Sequence, residues 1–375
     1  MVKKIMIIAG EASGDLHGGK LAQALKEEPG VELFGVGGEQ MAPHMELLYH
    51  VQDLAYVGFT EILKHLPFFI KVYRDLVRAA VQRNPAVVVL IDYPGLNLRL
   101  GKKLKAMGFT VFYFIAPQVW AWHQGRARKM ASFIDRMAVI FDFEVKFFRA
   151  FGIDAHFVGH PLADGLEVHL SREAFCQRFG LSPAKPILAL LPGSRQQEID
   201  NLLPAMLRAV QHLRNVHQIE VAIAQADTIP RDLIERHAGQ SVTIVKGATY
   251  ELLSYATAGI ITSGTATLEA ACFQLPFVLL YRVSSLSYFL GKRMIKIPHI
   301  GLVNIIGQDE IAKEFIQDAI RPEVMASELE KCLFDARYRQ EKMARMAEVK
   351  SRLGESGAAA RTARLILEMI SSGDK

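Results

Sequence analysis

Short apolar runs alternate with longer amphipathic segments along most of this 375-residue chain. The apolar runs are three to six residues long and rich in Val, Ile and Phe, whereas the segments between them have helical spacing. This alternation is typical of strands joined by helices, and it predicts a parallel sheet. The strands predicted in the first half are Lys4–Ala9, Leu33–Val36, Val87–Ile91, Val111–Ile115, Met137–Phe141 and His156–Val158.

The same pattern begins again after Gly159-His160-Pro161 and a polar helical segment. We therefore predict an α/β fold with two doubly wound, Rossmann-like domains at residues 1–165 and 166–345, followed by a helical segment at 346–375. Ligands of such sheets bind at the carboxyl ends of the strands, so we expect the two domains to face each other across a cleft. The strands predicted in the second half are Ile187–Leu191, Val221–Ala224, Val242–Val245, Gly259–Thr262 and Phe277–Leu280.

Composition excludes several classes of protein. A hydrophobic content of 50% with 22% charged residues argues against disorder. The net charge of +5 is too small for a dedicated nucleic-acid binder, so we predict no nucleic-acid partner. Cys176, Cys272 and Cys332 lack the spacing of a metal or redox site, which favours a reducing, cytoplasmic compartment. Since no apolar stretch approaches the roughly 18 residues of a spanning helix, any membrane contact would be peripheral.

The loop after the first strand, residues 10–20, is rich in glycine and opens into a helix. Such a turn presents backbone N–H groups to an anion or a sugar. A P-loop is excluded because Leu21 replaces the magnesium-binding Ser or Thr and because an aspartate would repel phosphate. A turn that serves only packing is the alternative, but its polar side chains favour a binding loop. Its candidate residues are Glu11, Ser13, Gly14 and Asp15.

Asp92 follows the most apolar strand of the chain, Val87–Ile91. A carboxylate at that point would be held rigidly and partly desolvated, which raises its basicity toward that of a useful general base. The alternative is an aspartate that stabilises the turn before Pro94 by accepting hydrogen bonds from the next backbone amides.

Both tryptophans of the chain lie after the next strand, and cations follow them. Trp120 and Trp122 could stack on a sugar ring, and Arg126 suits a phosphate. The alternative is a pair of core aromatic residues followed by a solvated basic helix.

Two turns in the second half suit a nucleotide diphosphate. Arg195 lies in a glycine turn that opens a helix and is placed to face a phosphate. In a later turn, glycine and hydroxyl groups can bind a diphosphate and Glu269 can accept hydrogen bonds from a ribose diol. An ordinary capping box is the alternative, but the required Glu or Gln is missing. The residues of this turn are Ser263, Gly264, Thr265, Thr267 and Glu269. No Asp-x-Asp pair is present, which argues against a metal-bound diphosphate.

A segment near residue 70 suits the surface of a membrane. Leu66, Phe68, Phe69 and Ile70 are apolar and are flanked by cations, as expected for contact with an anionic bilayer. Part of the same segment would form an ordinary core-facing helix side, which is the alternative.

Six motifs, in this order and spacing, resemble the lipid-A-disaccharide synthase family. The resemblance implies a GT-B fold and an inverting glycosyltransferase of lipid A biosynthesis, acting at the inner face of the inner membrane of a Gram-negative-type bacterium. It would transfer 2,3-diacylglucosamine from UDP-2,3-diacylglucosamine to 2,3-diacylglucosamine 1-phosphate and release UDP without a metal cofactor. The motifs are Gly10–Asp15, Ile91-Asp92, Trp120-Ala121-Trp122, Gly159-His160-Pro161, Leu191–Arg195 and Ser263–Glu269.

The resemblance also implies roles for individual residues. Asp92 matches the general base, the loop from Glu11 to Asp15 the acceptor side, and Arg195 with the Ser263–Glu269 turn the UDP site. Tyr281 and Asn304 fall on matching donor-side segments. The chain departs from the family where Gly95 and Leu96 replace an acidic-aromatic pair, and at His123, where Arg is common.

Partners follow from the same resemblance, which implies a homodimer with exchanged C-terminal segments. The helical segment at 346–375 is equally compatible with crossing back onto its own first domain. Two other functions stay open at this point. A UDP-sugar epimerase of the same architecture would share the nucleotide turn, and a non-catalytic nucleotide-sugar or lipid-binding protein would bind without releasing UDP.

Overall fold

The computed structural model describes residues 2–54, 66–122, 124–239, 242–283, 288 and 298–372; for Trp122 and Ser372 it describes the backbone. The chain forms two compact units. Unit 1 comprises Met1–Asp164 and Leu353–Lys375, and unit 2 comprises Gly165–Arg352. Each unit contains a parallel β-sheet with helical connections, which confirms the predicted α/β fold.

Unit 1 is built on a sheet with the strand order β3-β2-β1-β4-β5-β6-β7. Strand β1 is central: Ile5 pairs with Leu33 on one side and with Val87 on the other. The strand order reverses between β1 and β4, and the crevice at such a point is where doubly wound sheets bind ligands. The strands are β1 Lys3–Ala9, β2 Val31–Gly37, β3 Glu46–His50, β4 Val87–Ile91, β5 Val111–Phe114, β6 Arg136–Val139 and β7 Ala155–Phe157.

Helices cover both faces of this sheet because its strand residues are apolar on both sides. One buried cluster joins Ile5 and Ile7 to Leu21 and Ile366, and the other joins Met6 to helices on the opposite face. The helices are α1 Ala12–Lys26, α2 Val51–Leu54, α3 Leu66–Arg83, α4 Pro94–Ala106, α5 Val119–Trp122, α6 Gly125–Met130 and α7 Asp142–Arg149, with a 3₁₀ turn at Pro161–Asp164.

Unit 2 has a sheet with the strand order β10-β9-β8-β11-β12-β13, which reverses between β8 and β11. Its strands are β8 Ile187–Leu191, β9 Glu220–Gln225, β10 Thr243–Lys246, β11 Ala258–Thr262, β12 Phe277–Tyr281 and β13 Lys313–Ile316. Its helices are α8 Arg172–Phe179, α9 Gln196–Arg214, α10 Arg231–Ala238, α11 Thr249–Tyr255, α12 Ala266–Cys272, α13 Leu302–Gly307, α14 Pro322–Phe334 and α15 Ala336–Arg352, with a 3₁₀ turn at Gln317–Ala319.

Every strand predicted from the sequence is present, with small differences in its bounds. Strands β3 and β13 were not predicted from the apolar pattern, and both are edge strands. The residues of β3 are half-buried or exposed, and β13 buries Phe315 alone. An edge strand has a neighbour on one side only, so its sequence needs fewer apolar residues to pack.

The chain returns to unit 1 at its end. The last helix, α16 Ala358–Ser372, packs along α1. The Arg361 guanidinium anchors the start of this helix by donating hydrogen bonds to the carbonyl oxygens of Val158 at 2.8 Å, Ser356 at 2.7 Å and Glu355 at 2.6 Å. Exchange of this segment between two copies stays a prediction. None of the helices in the described part of the chain has the length and apolar character needed to cross a bilayer.

Replacing Arg361 with Lys should loosen α16. An ammonium group keeps the charge but cannot reach three carbonyl oxygens in different directions, so we expect the local free energy of opening to fall by about 1–3 kcal/mol. Hydrogen exchange of the α16 backbone amides measures this change. Arg364→Lys, at an exposed position of the same helix, is the control, and equal exchange in both variants would contradict the anchoring role.

Candidate active site

The candidate site of unit 1 lies where β1 and β4 end side by side. Ala9 pairs with Ile91, so the loop that begins at Gly10 lies next to Asp92. The Tyr93 ring packs directly on Gly10: a Cβ atom at Gly10 would lie 2.0 Å from the ring. Glycine is therefore required at Gly10 for the two loops to approach this closely.

The backbone at Asp92 has an unusual conformation that its neighbours hold in place. Asp92 and Tyr93 both have positive φ angles, of 42° and 45°, which non-glycine residues rarely adopt. The Asp92 carbonyl oxygen accepts hydrogen bonds from the Tyr113 hydroxyl at 2.7 Å and from Asn97 Nδ2 at 2.8 Å. The Asp92 N–H donates to the Phe114 carbonyl at 3.0 Å. Strained residues that several hydrogen bonds hold in place are common at functional sites. Here the held backbone fixes the direction of the Asp92 side chain.

The surroundings of the Asp92 carboxyl make it a better base than an ordinary aspartate. Burial and the nearby Glu11 carboxylate raise the pKa of Asp92 to about 6, although a hydrogen bond from the Tyr93 N–H opposes the shift. The predicted turn-stabilising bond is thus present, and it coexists with raised basicity. Glu11 is exposed and accepts a hydrogen bond from Ser13 Oγ at 2.9 Å. The structure therefore brings together Asp92, Glu11 and Ser13.

Asp15 differs from the other polar residues of its loop because it is buried and its carboxylate is fully occupied. It accepts hydrogen bonds from the backbone N–H groups of Gly38 at 2.6 Å, Gln40 at 3.0 Å and Met41 at 3.1 Å. These bonds hold the turn after β2 against α1. Gly14 is also buried, against Ala9. Both residues have a structural role here, and their contact with an acceptor stays a prediction.

Trp120 is part of the core, with 5% of its surface exposed. Its indole N–H donates to Glu144 Oε1 at 2.9 Å, and its ring meets Phe143 edge-on with centroids 5.0 Å apart. Burial raises the pKa of Glu144 to about 8. Trp120 is thus packed as a core aromatic residue, as the alternative interpretation expected, and its stacking on a sugar stays a prediction. Arg126 is exposed on α6, whereas the Trp122 side chain and His123 lie outside the described residues.

Two histidines of unit 1, His17 in α1 and His160 after β7, had no predicted role. Burial lowers the pKa values of His17 and His160 to about 4. Lys20 lowers the pKa of His17 further and Asp164 opposes this shift, while His17 lowers the pKa of His160 further. His160 Nδ1 accepts a hydrogen bond from the Leu162 N–H at 3.1 Å, so its proton is on Nε2. Both are neutral at neutral pH. The motif Gly159-His160-Pro161, which follows a strand, marks this place in the sequence. Its chemistry could not be assigned from the sequence, because the neighbouring His17 lies far away along the chain, in α1.

The candidate site of unit 2 is a cavity of about 360 Å³ at the ends of β8 and β11. It brings together four of the predicted donor-site residues: Arg195, Gly264, Thr265 and Glu269. Glu269 is largely buried, which raises its pKa, and the Tyr250 hydroxyl donates to it at 3.4 Å.

Glu198 bonds to the groups of the glycine turn that were predicted to bind a phosphate. Its carboxylate accepts hydrogen bonds from the N–H groups of Ser194 at 2.9 Å and Arg195 at 3.2 Å, and it pairs with the Arg195 guanidinium at 3.0 Å. A Cβ atom at Gly193, where φ is 117°, would lie 2.2 Å from this carboxylate. An incoming diphosphate would therefore compete with Glu198 for Arg195.

Other predicted donor-site residues lie around this cavity in different environments. Tyr281 is half-buried, and Glu198 and Arg195 both influence its pKa, which burial raises. Ser263 is partly exposed, and its N–H donates to the Leu280 carbonyl. The Thr267 hydroxyl turns inward and donates to the Gly264 carbonyl at 2.8 Å.

Asn304 is fully buried, and its amide is committed to protein groups. Its Nδ2 donates to the Ala312 carbonyl at 2.7 Å and to Glu314 at 2.9 Å, and its Oδ1 accepts from the Ala312 N–H at 2.8 Å. Asn304 thus links α13 to β13, and its contact with a donor stays a prediction.

Two doubly wound units, each with polar residues at its switch point, define the class of GT-B glycosyltransferases and the epimerases that share their fold. The chain is similar to a UDP-GlcNAc 2-epimerase from Neisseria meningitidis solved with UDP-GlcNAc, with a TM-score of 0.65 and 10% identity over 98% of this chain and 100% of that one. It is also similar to the calicheamicin glycosyltransferase CalG4, with a TM-score of 0.59 and 16% identity over 98% of each chain. At these identities the likeness shows the fold alone.

The family model described as lipid-A-disaccharide synthetase matches residues 5–367. The lipid-A-disaccharide synthase of Myxococcus xanthus is 39% identical over 99% of this chain and 98% of its own length. That of Syntrophus aciditrophicus is 40% identical over 99% of each. The chain belongs to the lipid-A-disaccharide synthase family, and it is a glycosyltransferase of lipid A biosynthesis.

Replacing Glu11 with Gln should lower the pKa of Asp92 below its value of about 6. The change removes a negative charge that disfavours ionisation of Asp92, while burial still acts. Carbon-detected NMR titration of the Asp92 carboxyl measures the shift. Glu28→Gln, at an exposed position beyond α1, is the matched control. An unchanged or higher pKa in Glu11→Gln would show that the two carboxylates do not interact.

Proposed function

We propose that this enzyme transfers 2,3-diacylglucosamine from its UDP derivative to 2,3-diacylglucosamine 1-phosphate, forming a β-1,6-linked disaccharide 1-phosphate and UDP. Membership in the family supports the substrates. The observation that carries the mechanism is Asp92, a carboxylate with a pKa of about 6 at the end of β4, held by a strained and fully bonded backbone.

Asp92 acts as the general base in this proposal. As the acceptor 6-oxygen forms a bond to the anomeric carbon of the donor, its proton passes to the Asp92 carboxylate. The bond between the anomeric carbon and the UDP oxygen breaks on the opposite face, so an α-linked donor gives a β-linked product. Proton transfer to a positioned base contributes about 10²- to 10⁴-fold to such a reaction.

Unit 2 binds the donor in this proposal. The Arg195 guanidinium leaves Glu198 to pair with the diphosphate, and Glu269 accepts hydrogen bonds from the ribose hydroxyls. Negative charge on the departing UDP is then stabilised by Arg195 and by N–H and hydroxyl donors of the Ser263–Thr267 turn. We propose that no metal ion takes part.

The Asp92→Asn variant tests the role of the base. We expect its kcat to fall by about 10²- to 10⁴-fold at saturating substrates, because an amide cannot accept the proton. Mass spectrometry of the disaccharide and of the released UDP measures the reaction. In the unchanged enzyme, kcat/KM should rise with pH up to about the Asp92 pKa of 6 and then level off, since the base must be ionised.

Donor binding provides the control for this experiment. Calorimetry should find the same affinity for UDP in Asp92→Asn, because Asp92 and the donor residues belong to different units. A kcat near that of the unchanged enzyme would remove Asp92 as the base, and a free sugar epimer in place of a disaccharide would reject the transfer itself.

The acceptor and donor are lipids, and we propose that the enzyme meets them as a peripheral protein on the cytoplasmic face of the membrane. Leu66 and Ile70 support this, since they are 45% and 43% exposed at the start of α3. Lys71 and Arg74 lie beside them and are exposed to an anionic surface. Phe68 and Phe69 are half-buried against the core, so we assign them mainly to packing.

The double variant Leu66→Ser, Ile70→Ser should bind anionic vesicles several-fold more weakly, because two exposed apolar side chains are lost from the interface. Flotation with vesicles of phosphatidylglycerol and phosphatidylethanolamine measures the bound fraction. Val81→Ser is the matched control, because Val81 is 53% exposed near the other end of α3. Equal flotation of both variants would reject this contact site.

A further inference from the structure

An open groove of about 690 Å³ lies in unit 1 between the first turns of α3 and α4. Its walls are largely hydrocarbon and aromatic, with Phe69 and Tyr73 on one side and Tyr93 and Leu96 on the other. The volume falls in the range of small-molecule sites. A sugar or a nucleotide placed here would find few partners for the hydrogen bonds that it loses to water, whereas a hydrocarbon chain would lose none.

The groove begins next to the reactive carboxylate. Tyr93, which lines it, directly follows Asp92 and packs on Gly10 of the acceptor loop. A molecule whose hydroxyl reaches Asp92 therefore has its nearest substituents at the entrance of the groove. Arg99 contributes a cation to the lining, one turn of α4 beyond Gly95. An apolar groove with a cation on its wall suits an anionic lipid, because its apolar walls can hold an acyl chain and Arg99 can attract the anionic group.

We propose that this groove holds one acyl chain of the acceptor and that the absence of a side chain at Gly95 sets how much hydrocarbon it admits. The inference rests on the proposed function, since it takes the acceptor to be a diacylated sugar phosphate. It adds a binding site for one chain and a residue that determines specificity.

Gly95 is suited to this role because nothing crowds it. It is the second residue of α4, it is exposed, and an added Cβ atom would have no neighbour within 4 Å. A side chain at this position meets no protein atom at its first carbon, and glycine is a poor helix residue. A larger residue therefore fills space in the groove without disturbing the fold.

The test compares the unchanged enzyme with Gly95→Leu and Gly95→Ala, using dibutanoyl and didodecanoyl forms of the acceptor at saturating donor. The unchanged enzyme should have the lower KM for the didodecanoyl acceptor. Each buried methylene contributes about fourfold in affinity, so excluding a few of them in Gly95→Leu should raise this KM by about tenfold or more. Gly95→Ala should fall between, and Lys103→Leu should keep the KM and kcat of the unchanged enzyme with both acceptors.

Lys103→Leu is the matched control, since it adds a leucine at an exposed position of α4 outside the groove lining. Circular dichroism melting confirms that each variant is folded. No disaccharide from either acceptor with the unchanged enzyme would overturn the proposed function. Disaccharide formation with the same chain-length dependence in Gly95→Leu and the unchanged enzyme would overturn the groove proposal alone. A shift confined to the donor KM, measured by varying the donor at a fixed acceptor concentration, would assign the groove to the donor chain and also overturn the groove proposal.

Discussion

The hydrogen bonds to the Asp92 carbonyl oxygen hold together the end of β4 on which the catalytic proposal depends. Tyr113 donates from the neighbouring strand and Asn97 from the following helix. Together they stabilise two successive left-handed residues that would otherwise relax. Because the backbone is held, the Asp92 carboxyl points toward Glu11 and the Tyr93 ring lies on Gly10. The position of the Asp92 carboxyl and the position of the groove wall therefore both depend on these hydrogen bonds.

Carboxylates show how environment separates residues of one chemical type into different tasks. Asp15 accepts three backbone hydrogen bonds and serves as a structural support. Glu144 is buried beside Trp120, and burial raises its pKa to about 8. Glu198 pairs with the Arg195 guanidinium. Of these four carboxylates, Asp92 combines partial burial with a neighbouring carboxylate, Glu11, and both raise its basicity as a general base requires.

Helix α3 contributes residues to the core, to the exposed surface and to the apolar groove. Its buried residues Val72 and Leu76 belong to the core of unit 1, while its first turn leaves Leu66 and Ile70 exposed. The same turn forms one wall of the apolar groove. A lipid that left a bilayer beside these residues would thus meet an apolar surface that continues toward Asp92. Its acyl chain would then expose little hydrocarbon to water on the way.

The two parallel sheets could be predicted from the apolar pattern alone, because a strand buried on both faces must be apolar at nearly every position. The sequence also indicated Asp92, Arg195 and Glu269, because the ends of such strands are where polar residues meet. The edge strands β3 and β13 escaped prediction, since a half-exposed strand carries a weaker pattern.

Tertiary structure decided which polar residues are available and which are already bonded. Asp15, Trp120 and Asn304 look equally suited to ligands in the sequence, yet their partners come from residues 8 to 26 positions away. Only folding brings those partners within hydrogen-bonding distance. The groove beside Tyr93 arises in the same way, because its two walls belong to helices whose contact no local pattern specifies.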